Sequence, residues 1–213
     1  MGLEELHRCY SGTRKMALHQ TSFPYKNIAN IDGTITTLQY DSVITPHVFV
    51  AKKNNERQVI VKIATQYCKE VHEFCALKGF APKLLVCEKS PSEWYFIVME
   101  KIHQLQLLTD VENEHKPKIL KDLHTIRKHL FDMKFMHKAF REGNVLWDFK
   151  SERVVLIDFD WAGRENEVVY PPLMNNAILC PEGAESGKPL CVKHDDYWFK
   201  KFMERVDASR GSM

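Results

Sequence analysis

The first half of the chain carries short apolar stretches, several with alternating polar positions, separated by polar turns. This pattern is typical of β-strands. Residues 47–52 and 58–64 are two such stretches, and the polar turn at 53–56 between them predicts an antiparallel hairpin. Residues 84–86 and 94–100 are rich in β-branched and aromatic side chains, which predicts two further strands.

Apolar residues spaced three to four positions apart predict amphipathic helices over three stretches. The first spans residues 65–78 and stops at Gly79. The second spans residues 116–133. The third spans residues 195–206, with Asp195 as its N-cap.

Two short apolar runs between the second and third helices, residues 145–147 and 154–157, predict a tight hairpin. Residues 3–20 predict one more short helix near the start of the chain. The chain therefore has a β-rich first half and a mainly helical second half, which predicts an α+β protein. We place the boundary between the halves near residues 101–104.

Charge and cysteine content narrow the class of protein. The 30 basic and 28 acidic residues give a net charge of +2, which is not the strongly basic balance of a non-specific nucleic-acid binder. The six cysteines form no C-x-x-C pair, so we expect reduced thiols. The chain has no signal-peptide pattern and no apolar run of about 18 residues, so no membrane association is expected. These features predict a soluble cytoplasmic or nuclear protein.

Lys62 interrupts the otherwise apolar run 59–64. A lysine in a buried strand is costly unless a carboxylate or an anionic ligand pairs with it. The following helix supplies Glu70, with Glu73 as the second choice. A lysine held by a helix glutamate is suited to binding a phosphate group. The alternative is that strand alternation turns Lys62 to solvent.

Asp158 follows a buried strand and Asn144 precedes the strand that pairs with it. Because a hairpin brings its two ends together, we expect these side chains to be neighbours, with Asp160 two residues further on. Amide and carboxylate oxygens are the ligands that Mg²⁺ prefers, here together with nucleotide phosphates. The alternative is an ordinary polar hairpin end.

The loop before Asn144 reads His-Lys-Ala-Phe-Arg-Glu-Gly-Asn over residues 137–144. Its cationic side chains could bind anions, although polar loops are common. Together with Lys62 and with Asp-Phe-Asp at 158–160, this loop resembles the protein-kinase-like fold. In that family a strand lysine pairs with a helix glutamate, a loop H-R-D-L-K-x-x-N follows a long helix, and a D-F-G segment closes the metal site.

The resemblance implies a two-lobed α+β fold, with a β-rich N-lobe over residues 1–101 and a minimal, mainly helical C-lobe over residues 102–213. It also implies ATP and Mg²⁺ as cofactors. The implied nucleotide-binding residues are Lys62, Glu70 and the backbone of Glu100 and Ile102. The implied metal ligands are Asn144, Asp158 and Asp160. The implied catalytic-loop residues are His137, Arg141 and, at the position of the catalytic aspartate, Ala139.

Ala139 is the main departure from the family pattern, because alanine cannot accept a proton from the attacking hydroxyl. Either the chain is a natural pseudokinase or Ala139 is an introduced inactivating substitution, and we favour the latter. With aspartate there, we expect transfer of the γ-phosphoryl of ATP to a protein Ser or Thr hydroxyl. The alternatives are a small-molecule phosphotransferase of the aminoglycoside or choline kinase type, and a binding or scaffold module.

A second departure is the missing glycine-rich loop, since the turn expected at residues 39–45 contains no glycine. Nucleotide affinity is expected to suffer, because fewer backbone amides can approach the phosphates.

Several short segments are more narrowly similar to small fungal kinase-like proteins, some of which are attached to Crinkler-type effectors. These segments lie at residues 70–72, 81–85, 156–163, 170–171 and 194–195. Besides the nucleotide, we expect a protein substrate or partner. The likeness also allows an effector domain delivered into a host and separated from its signal. The sequence leaves the oligomeric state open.

Overall fold

The computed structural model describes residues 26–54, 56–138, 140–170, 180–189 and 191–208. The helix predicted over residues 3–20 and the Ala139 position lie outside the described residues. Within the described part of the chain, no helix is long and apolar enough to cross a membrane.

Internal contacts divide the chain into two compact units. The first unit comprises Met1–Gln66 and Pro82–His103, and the second comprises Tyr67–Ala81 and Gln104–Met213. The first predicted helix therefore groups with the second unit, although it precedes two strands of the first along the chain.

The first unit is built on a six-stranded sheet in the order β1-β2-β3-β4-β6-β5, in which every neighbouring pair is antiparallel. Its strands are β1 Ile28–Ile31, β2 Thr34–Thr45, β3 Val48–Lys53, β4 Arg57–Ala64, β5 Leu84–Lys89 and β6 Tyr95–Glu100. The predicted hairpin is confirmed as β3 and β4, with Ala51 opposite Val59.

One face of this sheet carries a hydrophobic core. Its buried members include Leu38, Phe49, Val61, Phe96 and Val98. Each such side chain contributes roughly 1.5–3 kcal/mol when fully buried, so this face accounts for much of the stability of the unit. Most of these residues lie on β3, β4 and β6, which were predicted from their sequence, whereas Leu38 lies on β2, which was not predicted as a strand.

The two edge strands of the sheet, β1 and β5, approach one another. Just before β1, the Lys26 ammonium pairs with the Glu88 carboxylate of β5 and lies 4.6 Å from the centroid of the Phe96 ring. The sheet is therefore strongly curled, with its edges brought together.

A β-bulge in β2 changes which side chains face the core. The pairing with β3 shifts between Tyr40 and Ser42, so Asp41 is the extra residue. Tyr40 packs on the core before the bulge and Val43 packs on it afterwards. Ser42 consequently points to the opposite face of the sheet, where it lies across from Val50 of β3.

The second unit contains three helices: α1 Lys69–Leu77, α2 Lys116–Asp132 and α3 Val192–Ala208. Five short strands accompany them: β7 Leu105–Leu107, β8 Phe135–Met136, β9 Val145–Asp148, β10 Arg153–Leu156 and β11 Gly163–Arg164. The strands form a three-stranded sheet in the order β10-β9-β7 and a two-stranded sheet of β11 and β8.

Local sequence signals account for most of these elements. Four residues of the apolar stripe predicted on α2 are buried, Ile119, Leu123, Ile126 and Leu130, whereas the fifth, Met133, follows the helix end and is exposed. Gly79 ends α1 as predicted, because its backbone adopts a left-handed φ of 79° that lets the chain turn back onto the last helical carbonyls.

Two helix starts were placed wrongly. Helix α1 begins at Lys69 rather than at residue 65. Helix α3 begins at Val192, so Asp195 lies inside its first turn and is not the N-cap. The Asp195 carboxylate accepts a hydrogen bond from the backbone N–H of Lys138 instead. This long-range contact explains an aspartate at that position better than helix capping does.

Candidate functional site

The hairpin of β9 and β10 brings Asn144 and Asp158 together, as its sequence predicts. The Asn144 side-chain amide donates to Asp158 Oδ2 at 3.4 Å. Two backbone hydrogen bonds fix the same place, from Ile157 N–H to the Asn144 carbonyl at 2.9 Å and from Asn144 N–H to the Arg141 carbonyl at 2.8 Å. Backbone hydrogen bonds thus determine the distance between the Asn144 amide and the Asp158 carboxylate.

Asp158 has a left-handed backbone with a φ of 69°. This conformation costs a non-glycine residue on the order of 1 kcal/mol and persists only where its surroundings enforce it. The next residue supplies that enforcement, since the Phe159 carbonyl accepts the N–H groups of Cys68 at 3.0 Å and Ala162 at 3.3 Å. Strain held in this way is a common property of functional sites.

Two buried histidines hold the Phe159 ring. The His72 ring stacks on it with the centroids 4.4 Å apart and an interplanar angle of 7°, and the His137 ring meets it edge-on at 4.9 Å. Tyr67 Oη and His72 Nδ1 are hydrogen-bonded at 2.6 Å. Burial lowers the pKa of His137 to about 4, so this ring is neutral near pH 7. The arrangement immobilises Phe159 and, through it, the adjacent Asp158.

Arg141 adds a cation to the hairpin end. Its guanidinium Nη2 lies 3.4 Å from Asp158 Oδ2. The Arg141 side chain is 55% exposed, so it can turn toward an arriving anion at little cost. Asp160, two residues after Asp158, is half-buried.

Lys138 is buried, which the sequence did not indicate. Its Nζ lies 3.0 Å from the centroid of the Tyr170 ring, and Tyr170 Oη is hydrogen-bonded to His194 Nδ1 at 2.9 Å. Among the described residues, Lys138 Nζ has no hydrogen-bond partner. Burial lowers the pKa of Lys138 to about 7. The backbone N–H of this residue donates to Asp195 Oδ1 at 2.7 Å.

Replacing Lys138 with methionine is expected to stabilise the protein by about 1–2 kcal/mol at pH 6, because it removes a buried charge. The pKa of Lys138 lies below its unfolded value. The folded state therefore favours the neutral amine of Lys138. The free energy of unfolding is highest above about pH 10.4, and this contribution is lost as the pH falls through 7. Urea unfolding from pH 6 to 10 should show a smaller pH slope in Lys138→Met. The exposed Lys121→Met is the control, and equal slopes in both variants would contradict the assignment.

Glu70 is engaged by a partner that the sequence did not reveal. Arg164 Nε donates to Glu70 Oε2 at 3.1 Å, and Arg164 Nη2 pairs with Oε1. This bidentate pair lowers the pKa of Glu70. Arg164 also lies 4.6 Å from the centroid of the Phe135 ring, where the pairing of β11 with β8 places it. A pairing of Glu70 with Lys62 stays a prediction.

In the first unit, Lys62 lies on the sheet face opposite the hydrophobic core. It is directly across from Val48 of β3 and Ile97 of β6. Because side chains alternate along a strand, Ile60 of β4 shares this face, and Val50 and Met99 lie across from it. Lys62 is therefore a half-buried cation on a face that is otherwise largely apolar.

The turn expected at residues 39–45 is not there. That segment belongs to the long strand β2, and the chain reverses at Pro46 and His47 before β3. The His47 carbonyl accepts the N–H of Ile63 at 2.9 Å, and its ring lies 5.9 Å from the Trp94 ring. The turn at Pro46 and His47 also contains no glycine. The expected shortage of backbone N–H groups near the phosphates therefore applies to this turn instead.

Comparison with known proteins establishes the fold. No protein-family profile matches the chain, and no curated protein sequence matches it. Among solved structures, the chain is similar to the kinase PK-1 of Cydia pomonella granulovirus, with a TM-score of 0.56 and 17% sequence identity. The similarity covers 76% of this chain and 64% of that kinase, so the chain spans less than two thirds of its length. The predicted protein-kinase-like α+β fold is confirmed.

Proposed function

We propose that this protein binds ATP with Mg²⁺ and that, with aspartate in place of Ala139, it transfers the γ-phosphoryl group to a protein Ser or Thr hydroxyl. The observation that carries the proposal is the contact of Asn144 and Arg141 with the strained Asp158, within a kinase-like fold. A polar cluster held at the end of a buried hairpin serves no evident packing purpose, and it suits a metal–phosphate ligand.

The donor set fits Mg²⁺. Asp158 offers carboxylate oxygens, and Asn144 would present its amide oxygen after a half-turn of its terminal amide group. These hard oxygen donors, completed by phosphate oxygens and water, match the preference of this ion. Asp160 is the third candidate ligand. A bound Mg²⁺ would neutralise the phosphate charge, and Arg141, released from Asp158, would face the transferred phosphoryl group.

The first unit would contribute the nucleoside contacts. Ile60, Val50 and Met99 form an apolar strip, largely buried in this structure, that would cover a purine. Lys62, which lies two residues after Ile60 on the same face of β4, would bind phosphate. The backbone of Glu100 and Ile102, directly after β6, would bind the adenine edge.

In the sequence as it stands, Ala139 leaves the reaction without a group to accept the hydroxyl proton, so the protein would bind nucleotide with little or no transfer. This substitution also supports the alternative of a binding or scaffold module. The acidic Asp160 in place of glycine favours the other alternative, a small-molecule phosphotransferase. The likeness to fungal Crinkler-type proteins, the compartment and a protein partner stay predictions.

Calorimetry with ATP in the presence and absence of Mg²⁺ tests the proposal. We expect binding at or below millimolar nucleotide, and an affinity loss of about tenfold or more in Asp158→Asn when Mg²⁺ is present. Without Mg²⁺, the same substitution should have a much smaller effect. The exposed Asp132→Asn in α2 is the matched control and should bind as the unmodified protein does. No binding at millimolar nucleotide would refute the proposal.

A further inference from the structure

Ser42 carries a buried hydroxyl that has no hydrogen-bond partner among the described residues. The residue is 6% exposed. Leaving a hydroxyl buried and unpaired is unfavourable, and such groups are rare in folded proteins. Alanine in this place would avoid the penalty. Packing of the sheet therefore does not explain why this position is a serine.

The β-bulge at Asp41 determines where this hydroxyl points. Because of the register shift, Ser42 faces away from the hydrophobic core and lies across from Val50. Val50 lies across from Ile60, and Ile60 lies across from Met99. Ser42 thus ends a row of three apolar side chains that runs over four strands. We call these four residues the Ser42 row.

Each of the two neighbouring rows on the same face contains a polar side chain. One row contains Lys62, two residues along β4 from Ile60, or about 7 Å away. The row on the other side contains Gln58, whose side-chain oxygen accepts a hydrogen bond from Lys101 Nζ at 2.9 Å. Lys101 directly follows β6. The Ser42 row therefore lies between the candidate phosphate-binding lysine and the segment expected to bind adenine.

We propose that the Ser42 hydroxyl hydrogen-bonds the nucleoside part of the bound nucleotide and helps to select it. This inference rests on the proposed function, because the sheet face is the surface assigned there to ATP. The apolar neighbours would contact the faces of the purine, while Ser42 would contribute a polar contact in the row. A hydroxyl can donate or accept, so it can pair with a ring nitrogen or with a ribose hydroxyl. The ligand would then supply the hydrogen-bond partner that the hydroxyl does not have among the described residues.

Ser42→Ala should change stability and binding in opposite directions. Removing an unpaired buried hydroxyl is expected to raise the Tm, whereas losing the contact should weaken Mg·ATP binding about five- to tenfold. Ser42→Thr keeps a hydroxyl and should retain more affinity than the alanine variant. Thr36→Val is the matched control in the same strand. Its hydroxyl is already paired with the Thr34 carbonyl at 3.2 Å and lies on the core side, so Mg·ATP affinity should not change.

Magnesium tripolyphosphate, which has no nucleoside, separates the two parts of the ligand. Its affinity should be the same for the unmodified protein and for Ser42→Ala. Equal Mg·ATP affinity in the two proteins would overturn the inference, as would an equal loss for tripolyphosphate. If the unmodified protein binds tripolyphosphate but gains nothing from the nucleoside, the role of Ser42 fails while the phosphate site stands. If it binds neither, the proposed function fails as well.

Discussion

Replacing Ala139 with aspartate is expected to raise the rate of phosphoryl transfer about 10²–10⁴-fold, the usual contribution of a positioned general base. The residues on either side of this position are well fixed. Lys138 N–H is bonded to Asp195, and the buried Phe140 ring packs 5.3 Å from the Phe199 ring. A carboxylate introduced between them should therefore be held in place.

Autophosphorylation and transfer to a generic protein substrate, followed with labelled ATP, measure this effect. Ala139→Asn is the matched control, since it has the size of aspartate without its basicity, and it should remain as slow as the starting protein. If the aspartate variant is silent on protein but phosphorylates aminoglycosides, choline or sugars, the small-molecule alternative replaces ours. If it phosphorylates nothing while still binding Mg·ATP, the binding-module alternative is supported.

Removing the Asp195 carboxylate is expected to cost about 3 kcal/mol of unfolding free energy. Asp195 is buried, and it accepts the backbone N–H groups of Lys138 and His137. In Asp195→Ala, both donors would be left in the interior without an acceptor. The loop that carries Ala139 should loosen as well, so the protection that a bound nucleotide would give this loop in hydrogen exchange should weaken.

Asp195→Asn is the informative comparison, because it keeps an acceptor oxygen and removes the charge. Burial raises the pKa of Asp195 to about 6, above its unfolded value near 3.9. The part of the stability that depends on protonation of Asp195 is therefore complete below about pH 3.9 and is lost as the pH rises through 6, whereas the hydrogen bonds that its oxygens accept remain. In urea unfolding at pH 8, the asparagine variant should be much closer to the unmodified protein than the alanine variant is. Equal losses in both variants, or an alanine variant within about 0.5 kcal/mol of the unmodified protein, would contradict this role.

Features that depend on neighbours along the chain could be predicted from the sequence. The β3–β4 hairpin, helix α2 and the β9–β10 hairpin each follow from local periodicity and turn signals. The proximity of Asn144 and Asp158 follows from the second hairpin, because only 14 residues separate them.

Features that depend on distant pairings could not be predicted in this way. Arg164 and Glu70 are 94 residues apart, and Lys138 and Asp195 are 57 residues apart. No periodicity marks either pair. The orientation of Ser42 depends on a single extra residue in β2, which reverses the side-chain alternation after the bulge. Strands of two residues, such as β8 and β11, are too short to show any alternation at all.

The curl of the first unit's sheet has a consequence for how the protein behaves at high concentration. An edge strand normally offers a row of backbone groups to which another chain can add a strand, and this is a common start of aggregation. Here β1 and β5 approach one another, and Lys26, bound to Glu88, places a charged side chain at that junction. Each edge thus shields the other, and the short β1 segment protects the sheet against unwanted strand addition by other copies.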